Sequence, residues 1–549
     1  MDGLDYNSQV TEPIRFETHP SRYRHLRLET EPDRARIILR VDENGGLFPG
    51  YQLKLNSYDL GVDIELADAV TRLRFEHPGV AVVTLTSGLE GTFCAGANIF
   101  MLASSNHSFK VNFCKYTNET RLLIEDASAN SGQRYLAALN GVTSGGGYEL
   151  ALACDEIILV DDRRSAVSLP EIPYLGVLPG TGGLTRLVDK RKVRRDIADV
   201  FATLAEGVRG QRALQWRLVD LLIAPSGFAD GVARRVEMLV SPERAARVGI
   251  TLDALAPAES DNEIRYRYLT LTLDHARRLG ELRIAGPVRT EMPPDTPSAL
   301  GADWYPLRLF RELDDALLRL RFNYPEIGLV LIKSSGDLER VLALDRQLNE
   351  RRGDWFIRET MLLIRRVLKR LDLTAKSFFA LVDESSCFGG FMLELALAAD
   401  RVYMKTGGAA RVATGALNQG AFPMSNGLSR LASRFLYDPE QARRLARDEK
   451  YDADAALAAG LVTAAPDELD WDEEIRLATD ERLSLSPDAL TAMEATLRFA
   501  GPETMETKIF GRLSAWQNWV FQRPNAVGER GALRLYGRPE TPQFDWKRT

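Results

Sequence analysis

A run of three glycines shortly before a glutamate is the first place where this sequence could support chemistry. Residues 142–158 read VTSGGGYELALACDEII and follow the apolar segment RYLAALNG. This pattern predicts a strand, a glycine turn and a helix that begins near Glu149. Glycines allow a ligand to lie against the backbone, and the first N–H groups of a helix lack partners and carry the positive end of its dipole. The turn could therefore hold a developing negative charge, although a tight turn with an incidental surface acid fits the same residues.

The elements that would position such a site occur twice in the sequence. ELADAVTRLRFEHPGVAVVTLTSG begins at Glu65, and ELDDALLRLRFNYPEIGLVLIKSSG begins at Glu312. Two further pairs follow at nearly the same spacing, ELALACDEIILV with ELALAADRVYM and PGTGGLTRL with PMSNGLSRL. The first pair reads as an amphipathic helix, a turn at proline and an apolar strand. We infer two consecutive α/β units with parallel sheets flanked by helices.

The domain boundaries follow from these repeats. We expect a catalytic unit over residues 1–245 and a degenerate second unit over residues 301–470. Between them, residues 246–300 contain LTLDHARRLGELRI, which predicts a helical linker, and then the loop MPPDTPS. Residues 471–549 are expected to form a C-terminal, mainly helical region.

The two copies differ at the positions that could carry chemistry. The first contains SGGGYE and SLPEIPYLGVLPGTGG, whereas the second contains CFGGFMLE and ATGALNQGAFPMSNG and lacks the glutamate Glu171 of the first. Function is therefore expected in the first unit, with the second as a scaffold or a pocket wall.

Composition excludes several other classes of protein. The chain has 549 residues, 45% of them hydrophobic and 27% charged, which is ordinary for a globular protein of two to four domains. A net charge of −7 gives no reason to expect a nucleic-acid partner or an anionic membrane surface. We find no apolar run long enough for a bilayer, and the polar start MDGLDYNSQVTEP does not resemble a secretory signal. We expect a cytoplasmic protein.

The cysteines and histidines predict neither a disulfide framework nor a metal site. The spacing of the four cysteines matches no metal-binding pattern, and their mostly apolar settings suit free thiols in a reducing cytosol. The five histidines are scattered and form no paired motif, so each is expected to be structural.

Three motifs in order give the chain a family resemblance. TFCAGANIF, NGVTSGGGYELALACDEI and LPEIPYLGVLPGTGGLTRL resemble the crotonase (enoyl-CoA hydratase/isomerase) superfamily over roughly residues 30–240. A degraded form of the resemblance covers residues 300–470. The resemblance implies an α/β fold, a duplicated crotonase (ClpP-like) spiral of ββα units that holds an acyl-CoA thioester.

The resemblance also implies roles for main-chain groups around the glycines. The N–H groups of Ala97 and Gly146 would form an oxyanion hole that grips the thioester oxygen and stabilises an enolate. Asn98 stands where most relatives carry an aspartate, which makes an ordinary hydratase less certain. The substrate and CoA path would be lined by Ala95, Asn98, Ile99, Phe100 and Gly145, with Lys54 near the CoA phosphates.

Glu149 and Glu171 occupy the positions of the two glutamates that hold water in hydratases of this superfamily. A close pair of carboxylates in a partly desolvated pocket differs in proton affinity, so that one can act as a base and the other as an acid. Sequence leaves open which of them is the acid. Cys114 lies where the family places helices over the acyl group, and its thiol either contacts the substrate as a catalytic residue or fills space.

The whole chain is most similar to an unusual branch of the superfamily. Its length, its degraded second copy and the ending WQNWVFQRPNAVGERGALRLYG resemble the benzoyl-CoA-dihydrodiol lyase family. The resemblance implies conversion of 2,3-epoxy-2,3-dihydrobenzoyl-CoA and two waters to 3,4-dehydroadipyl-CoA semialdehyde and formate in aerobic benzoate degradation. It implies no cofactor and no metal beyond the CoA substrate.

Two alternatives stay open at this point. The chain could be an enoyl-CoA hydratase or an acyl-CoA hydrolase on the same scaffold, or a non-enzymatic acyl-CoA sensor. The paired acids beside an oxyanion hole argue against the sensor. Because the second copy can replace a neighbouring subunit of the trimers that this superfamily usually forms, we expect a homodimer.

Overall fold

The structure is a computed structural model that describes residues 13–241, 244–288, 296–445 and 447–549. The chain divides into two compact units, Met1–Leu252 and Asp253–Thr549. Each contains a sheet with helices against it, mostly parallel in the first unit and half parallel in the second, in agreement with the predicted α/β class.

The first unit is built on two sheets. A six-stranded sheet has the order β1-β2-β3-β5-β7-β9, in which β1 and β2 are antiparallel and the other pairs parallel. A smaller parallel sheet has the order β4-β6-β8. The strands are β1 (Leu26–Thr30), β2 (Arg34–Leu39), β3 (Val82–Ser87), β4 (Gly91–Cys94), β5 (Arg134–Leu139), β6 (Gly141–Ser144), β7 (Glu156–Val160), β8 (Val167–Ser168) and β9 (Leu221–Ile223).

Helices cover the large sheet because its strands are apolar on both faces. Val82, Leu136 and Ile158 of three neighbouring strands are buried and pack with Val236 of the last helix. Burial on both faces is typical of parallel sheets. The helices are α1 (Leu60–Phe75), α2 (Ile99–Ser104), α3 (His107–Asp126), α4 (Gly146–Ala153), α5 (Glu171–Leu175), α6 (Gly183–Thr185), α7 (Arg195–Thr203), α8 (Gly210–Gln215) and α9 (Phe228–Leu239).

The second unit has a seven-stranded sheet in the order β10-β11-β12-β13-β14-β15-β16. Its first four strands form an antiparallel meander, and β13 to β16 run parallel. A separate antiparallel pair joins β17 to β18. The strands are β10 (Ala258–Ser260), β11 (Glu263–Arg265), β12 (Leu269–Asp274), β13 (Leu279–Ala285), β14 (Leu329–Ser335), β15 (Ser377–Val382), β16 (Arg401–Met404), β17 (Val412–Thr414) and β18 (Glu449–Tyr451).

The C-terminal region is helical and belongs to this second unit. Ala478 and Leu483 of its first helix pack on Leu331, Phe379 and Tyr403 of the sheet. The helices of the unit are α10 (Tyr305–Phe322), α11 (Leu338–Glu350), α12 (Trp355–Leu373), α13 (Leu393–Ala398), α14 (Arg430–Arg434), α15 (Pro439–Leu445), α16 (Ala453–Ala458), α17 (Trp471–Ser484), α18 (Pro487–Arg498), α19 (Met505–Lys508), α20 (Ser514–Val520), α21 (Pro524–Val527) and α22 (Ala532–Leu535).

The predicted duplication is visible in matching hydrogen bonds. The carboxylate of Glu65 accepts from the backbone N–H groups of Arg24, His25 and Leu26 at 2.7–3.0 Å. Its repeat partner Glu312 accepts from Arg267 and Tyr268 at 3.3 and 2.8 Å. The repeated glutamate therefore fixes the chain just before a strand in both units, β1 in the first and β12 in the second.

The prediction of a helical linker over residues 246–300 is wrong. The regular structure over residues 258–285 of this segment is the four strands β10 to β13, and β12 and β13 pair as the antiparallel counterpart of β1 and β2. Leu269, Leu271 and Leu273 are buried at every second position, which is the period of a strand. The intervening HARR forms a turn in which Arg278 has φ +58°. The second copy therefore begins before residue 301, and MPPDTPS falls largely outside the described residues.

Candidate active site

The glycine turn leads from β6 into α4, as the sequence predicts, although the helix begins at Gly146 rather than near Glu149. Gly145 has φ +52° and ψ −130°, a backbone conformation open to glycine and strained for other residues. Its N–H donates to the carbonyl of Ser168 in β8 at 2.9 Å. Gly146 is the first helical residue, so its N–H has no partner within the helix.

The loop after β4 brings Ala97 to the same place. Tyr58 donates to the carbonyl of Gly96 at 3.0 Å and accepts from the N–H of Asn98 at 2.8 Å. This parallel bridge turns the N–H of Ala97, between those two residues, away from Tyr58. A Cβ added to Gly96 would lie only 2.9 Å from the Gly146 nitrogen, so the two loops touch. Within the described residues, neither the Ala97 nor the Gly146 N–H has a protein acceptor.

Glu149 lies one turn along α4 from this pair of amides and is buried. Its carboxylate accepts hydrogen bonds from the N–H of Thr181 at 3.0 Å, the N–H of Gly183 at 2.7 Å and the Thr181 hydroxyl. Three donors aimed at two oxygens stabilise negative charge on this carboxylate. The loop PGTGG therefore holds Glu149 in a single orientation.

Glu171 begins α5 and lies on the other side of the glycine turn. A Cβ on Gly145 would be 2.7 Å from its Oε1. Its Oε2 is buried and has no hydrogen-bond partner among the described residues. Burial, with the charge of Glu149 in addition, raises the pKa of Glu171 to about 7. The charge of Glu149 therefore acts on Glu171, and Glu171 carries a proton for part of the time at neutral pH.

Sequence reasoning missed Tyr58. Its main chain fixes the Ala97 loop, and its buried hydroxyl lies so close to Gly146 that a Cβ there would overlap it. That hydroxyl has no partner among the described residues, and burial raises its pKa well above the usual value. Tyr58 thus contacts both halves of the candidate hole. The segment NSYDLG gives no sequence signal for this role. Thr181 and Gly183, which bind Glu149, could have been found from sequence, because their motif PGTGG is absent from the second copy.

Cys114 lies in the middle of α3 beside the loop that holds Glu149. Its Sγ would be 3.5 Å from a Cβ on Gly180. Burial, reinforced by the charge of Glu149, raises the pKa of the Cys114 thiol to about 11. The thiol is therefore protonated at neutral pH and is not poised as a nucleophile.

The remaining predicted substrate contacts fall into two groups. Asn98 is buried, and its side chain caps α2 by accepting from Met101 and donates to Gln52 and Ser57, so only its main chain is available to a substrate. Ala95, Ile99, Phe100 and Lys54 are exposed next to the Ala97 loop. Their contact with an acyl-CoA stays a prediction.

One comparison covers the whole chain. The protein is 52% identical to the benzoyl-CoA-dihydrodiol lyase of Aromatoleum evansii. The alignment covers 99% of this chain and 99% of the relative. The chain belongs to the benzoyl-CoA-dihydrodiol lyase family. The predicted family is thereby confirmed.

Three further similarities of this family member each cover part of the chain. The enoyl-CoA hydratase/isomerase family matches residues 52–277, in agreement with the predicted superfamily. The fatty acid oxidation complex subunit alpha of Shewanella loihica is 32% identical over 31% of this chain and 23% of its own length. A solved enoyl-CoA hydratase of Geobacillus kaustophilus is 33% identical, with a TM-score of 0.35 over 40% of this chain and 75% of its own.

The described part of this lyase family member contains neither a metal-binding cluster nor a membrane-spanning helix. Within residues 13–241, 244–288, 296–445 and 447–549, no group of three or more His, Cys, Asp or Glu side chains could hold a metal ion. None of the described helices combines the length and the apolar character needed to cross a bilayer.

Proposed function

We propose that the protein opens the ring of 2,3-epoxy-2,3-dihydrobenzoyl-CoA, consuming two waters and releasing 3,4-dehydroadipyl-CoA semialdehyde and formate. The full-length identity to a benzoyl-CoA-dihydrodiol lyase carries this proposal. The site in the first unit supports it, because two interacting acids lie beside two free amides. The products are those that the family resemblance implies.

The thioester oxygen binds to the N–H groups of Ala97 and Gly146. Their loops are in contact, and neither group has a protein acceptor in the described part of the chain. Negative charge that develops on this oxygen is stabilised by the two donors and by the positive end of α4. The carbonyl then withdraws electrons from the ring, which makes the epoxide carbons electrophilic.

The two glutamates divide the proton transfers. Glu149, which three donors hold in one orientation, accepts the proton of the water that adds to the ring. Glu171, whose pKa is raised to about 7 and whose Oε2 has no partner, delivers a proton to the oxygen or carbon that becomes negative. Sequence leaves open which glutamate is the acid, and the free Oε2 and the raised pKa of Glu171 support this assignment.

Cys114 contacts the substrate without forming a bond to it. A protonated thiol with a pKa of about 11 supplies shape and a weak donor beside the acyl group. The catalytic role predicted for it is thus reduced to positioning.

The alternative of an enoyl-CoA hydratase or acyl-CoA hydrolase has less support than the lyase. The enoyl-CoA hydratase/isomerase family matches only residues 52–277, whereas the lyase relative matches nearly all of the chain. Offering crotonyl-CoA and the epoxide thioester side by side separates the two functions.

We further propose that the protein needs no cofactor besides its CoA substrate and works as a cytoplasmic homodimer. Exposed apolar side chains in the C-terminal region support self-association, among them Met505 (73% exposed), Phe510 (75%) and Tyr536 (91%). Light scattering coupled to size exclusion tests the mass, which is 61.2 kDa for one chain.

Incubation with the epoxide thioester tests the proposed reaction. We expect one formate per substrate consumed and a CoA product with the mass of the semialdehyde. Substrate that is consumed with no formate, or recovered unchanged while crotonyl-CoA is hydrated, would contradict it.

A further inference from the structure

The second unit keeps the backbone of the glycine turn. Gly390 has φ +50°, against +52° for Gly145, and Glu394 follows it at the same distance as Glu149 follows Gly145. The strand ends also match, since Gly389 bridges Ala413 as Ser144 pairs with Ser168. Phe391 therefore corresponds to Gly146 of the first unit, and its N–H is the first one after the equivalent turn.

In the second unit the Phe391 N–H donates a hydrogen bond to a carboxylate of the same chain. Phe391 donates to Oδ1 of Asp345, a residue of α11, at 2.7 Å. A Cβ on Gly390 or on Gly415 would overlap the Asp345 carboxyl group. The two glycines thus leave room for this one side chain, just as Gly145 leaves room for Glu171.

Asp345 lacks the surroundings of a structural ion pair. It is 1% exposed, and its Oδ2 has no hydrogen-bond partner among the described residues. The backbone N–H groups of Phe391 and Leu417 favour its negative charge, and the charged groups with most influence on it are two acids, Asp448 and Glu394. Burial raises the pKa of Asp345 to about 7. A buried carboxyl without a cation costs stability unless the site itself binds it.

The neighbouring Glu394 has lost the arrangement that makes Glu149 reactive. Its carboxylate accepts from Asn418 at 2.6 Å and from Arg430 at 3.2 Å, and Arg430 also pairs with Asp372. An ion pair inside the protein therefore replaces the backbone donors of the first unit.

We propose that the second unit retains a binding site for a carbonyl or carboxylate oxygen, and that Asp345 fills it as an internal ligand. The site belongs to the class that binds small carboxylates, and removing the Asp345 side chain opens it to acetate or formate. The intact chain accordingly has one site for a CoA thioester. This inference concerns the second unit and does not depend on the substrate proposed for the first.

Thermal unfolding of Asp345→Gly with added sodium acetate tests the proposal. We expect the unfolding midpoint to rise by roughly 2–4 °C with saturation at millimolar acetate, because a ligand that binds only the folded state stabilises it. Sodium chloride at equal ionic strength is the salt control. Leu342→Ala, which opens a cavity on the same helix without removing a carboxylate, is the matched variant and is expected to show no acetate effect, like the wild type.

An equal acetate effect in Asp345→Gly, Leu342→Ala and the wild type would overturn the proposal. A pair of isosteric variants keeps it testable if Asp345→Gly does not fold. Asp345→Asn retains an acceptor for the Phe391 N–H and should unfold near the wild-type midpoint, whereas Asp345→Leu fills the space without an acceptor and should unfold several degrees lower. The reverse ranking would show that Asp345 only fills space.

Discussion

At the scale of single residues, the hydrogen bonds of the two glutamates separate their chemical roles. Glu149 accepts from two backbone N–H groups and a hydroxyl, whereas the Oε2 of Glu171 has no partner in the described part of the chain. In the proposed mechanism the first takes a proton from water, and the second exchanges one with the substrate. Four predictions concern single side chains.

Glu149→Gln is expected to lower kcat by about 10²–10⁴ because the amide cannot accept the proton of the attacking water. KM for the CoA ester should change little, since the binding amides of Ala97 and Gly146 remain. Steady-state kinetics of formate release measure both values. Glu394→Gln, the same change in the second unit, is the control and should leave kcat near that of the wild type.

The pH dependence of kcat/KM should report Glu171. As a general acid with a pKa of about 7, it loses its proton as the pH rises, so kcat/KM is expected to fall through pH 7. Glu171→Gln should lose most activity and also this limb of the profile. A profile that rises through pH 7 in the wild type would mean that Glu171 is the base.

The same group links stability to pH. Its pKa lies near 7 in the folded protein against an ordinary value of 4.5, so the folded state binds the proton more tightly than the unfolded chain. Stability from Glu171 is present at low pH and is lost as the pH rises from 4.5 to about 7. The unfolding midpoint of Glu171→Gln relative to the wild type should therefore increase over that range and level off above it. A constant difference across the range would contradict the raised pKa.

Cys114→Ala should retain activity within about tenfold of the wild type. A thiol with a pKa of about 11 is almost fully protonated at neutral pH, so no thiolate is lost by the change. Slow alkylation of Cys114 by iodoacetamide at pH 7, followed by mass spectrometry, checks its protonation state. A loss of kcat as large as that of Glu149→Gln would show that the thiol takes part in catalysis.

At the scale of elements, the strand–turn–helix around Gly145 positions the site. Its unusual φ and ψ direct the Gly146 N–H toward the Ala97 loop and leave space for Glu171. The glycines and both glutamates could be predicted from sequence because each leaves a local pattern. Tyr58 could not, since its contacts with Gly146 join residues far apart in the chain.

Gly145→Ala should lose activity as well as stability. The strained backbone costs about 1–3 kcal/mol, and the new Cβ would displace the Glu171 carboxyl, which lies 2.7 Å from its position. Gly301→Ala is the matched control, because Gly301 has φ +66° and ψ −168° and its Cβ would meet open space. It should lose comparable stability in thermal unfolding and keep its kcat. Equal kcat in both variants would show that the turn does not position the site.

The β12–β13 hairpin shows why part of the fold could not be predicted. LTLDHARRLGELRI has leucines that suit either a helix or two short strands, and periodicity alone does not separate the two over so short a stretch. Pairing of β13 with β14 decides the outcome, and that partner lies more than 40 residues further along the chain. Likewise, nothing in the sequence of α11 indicates that Asp345 reaches Phe391.

At the scale of the whole molecule, the duplication produces two units of which one carries the paired acids. Glu171 has no glutamate counterpart in the second unit, and Glu394 is neutralised by Arg430. We expect isothermal titration with a non-reactive benzoyl-CoA analogue to give one site per chain. Two equivalent sites per chain would contradict the loss of function in the second unit.

The most direct measurement of the central claim is formate release from 2,3-epoxy-2,3-dihydrobenzoyl-CoA by the wild type, Glu149→Gln and Glu171→Gln, with binding of a CoA ester measured on the same samples. We predict that the wild type releases one formate per substrate and that both variants bind the ester but release formate at least about 10²-fold more slowly. Formate release by either variant at the wild-type rate would contradict a mechanism in which these two acids move the protons.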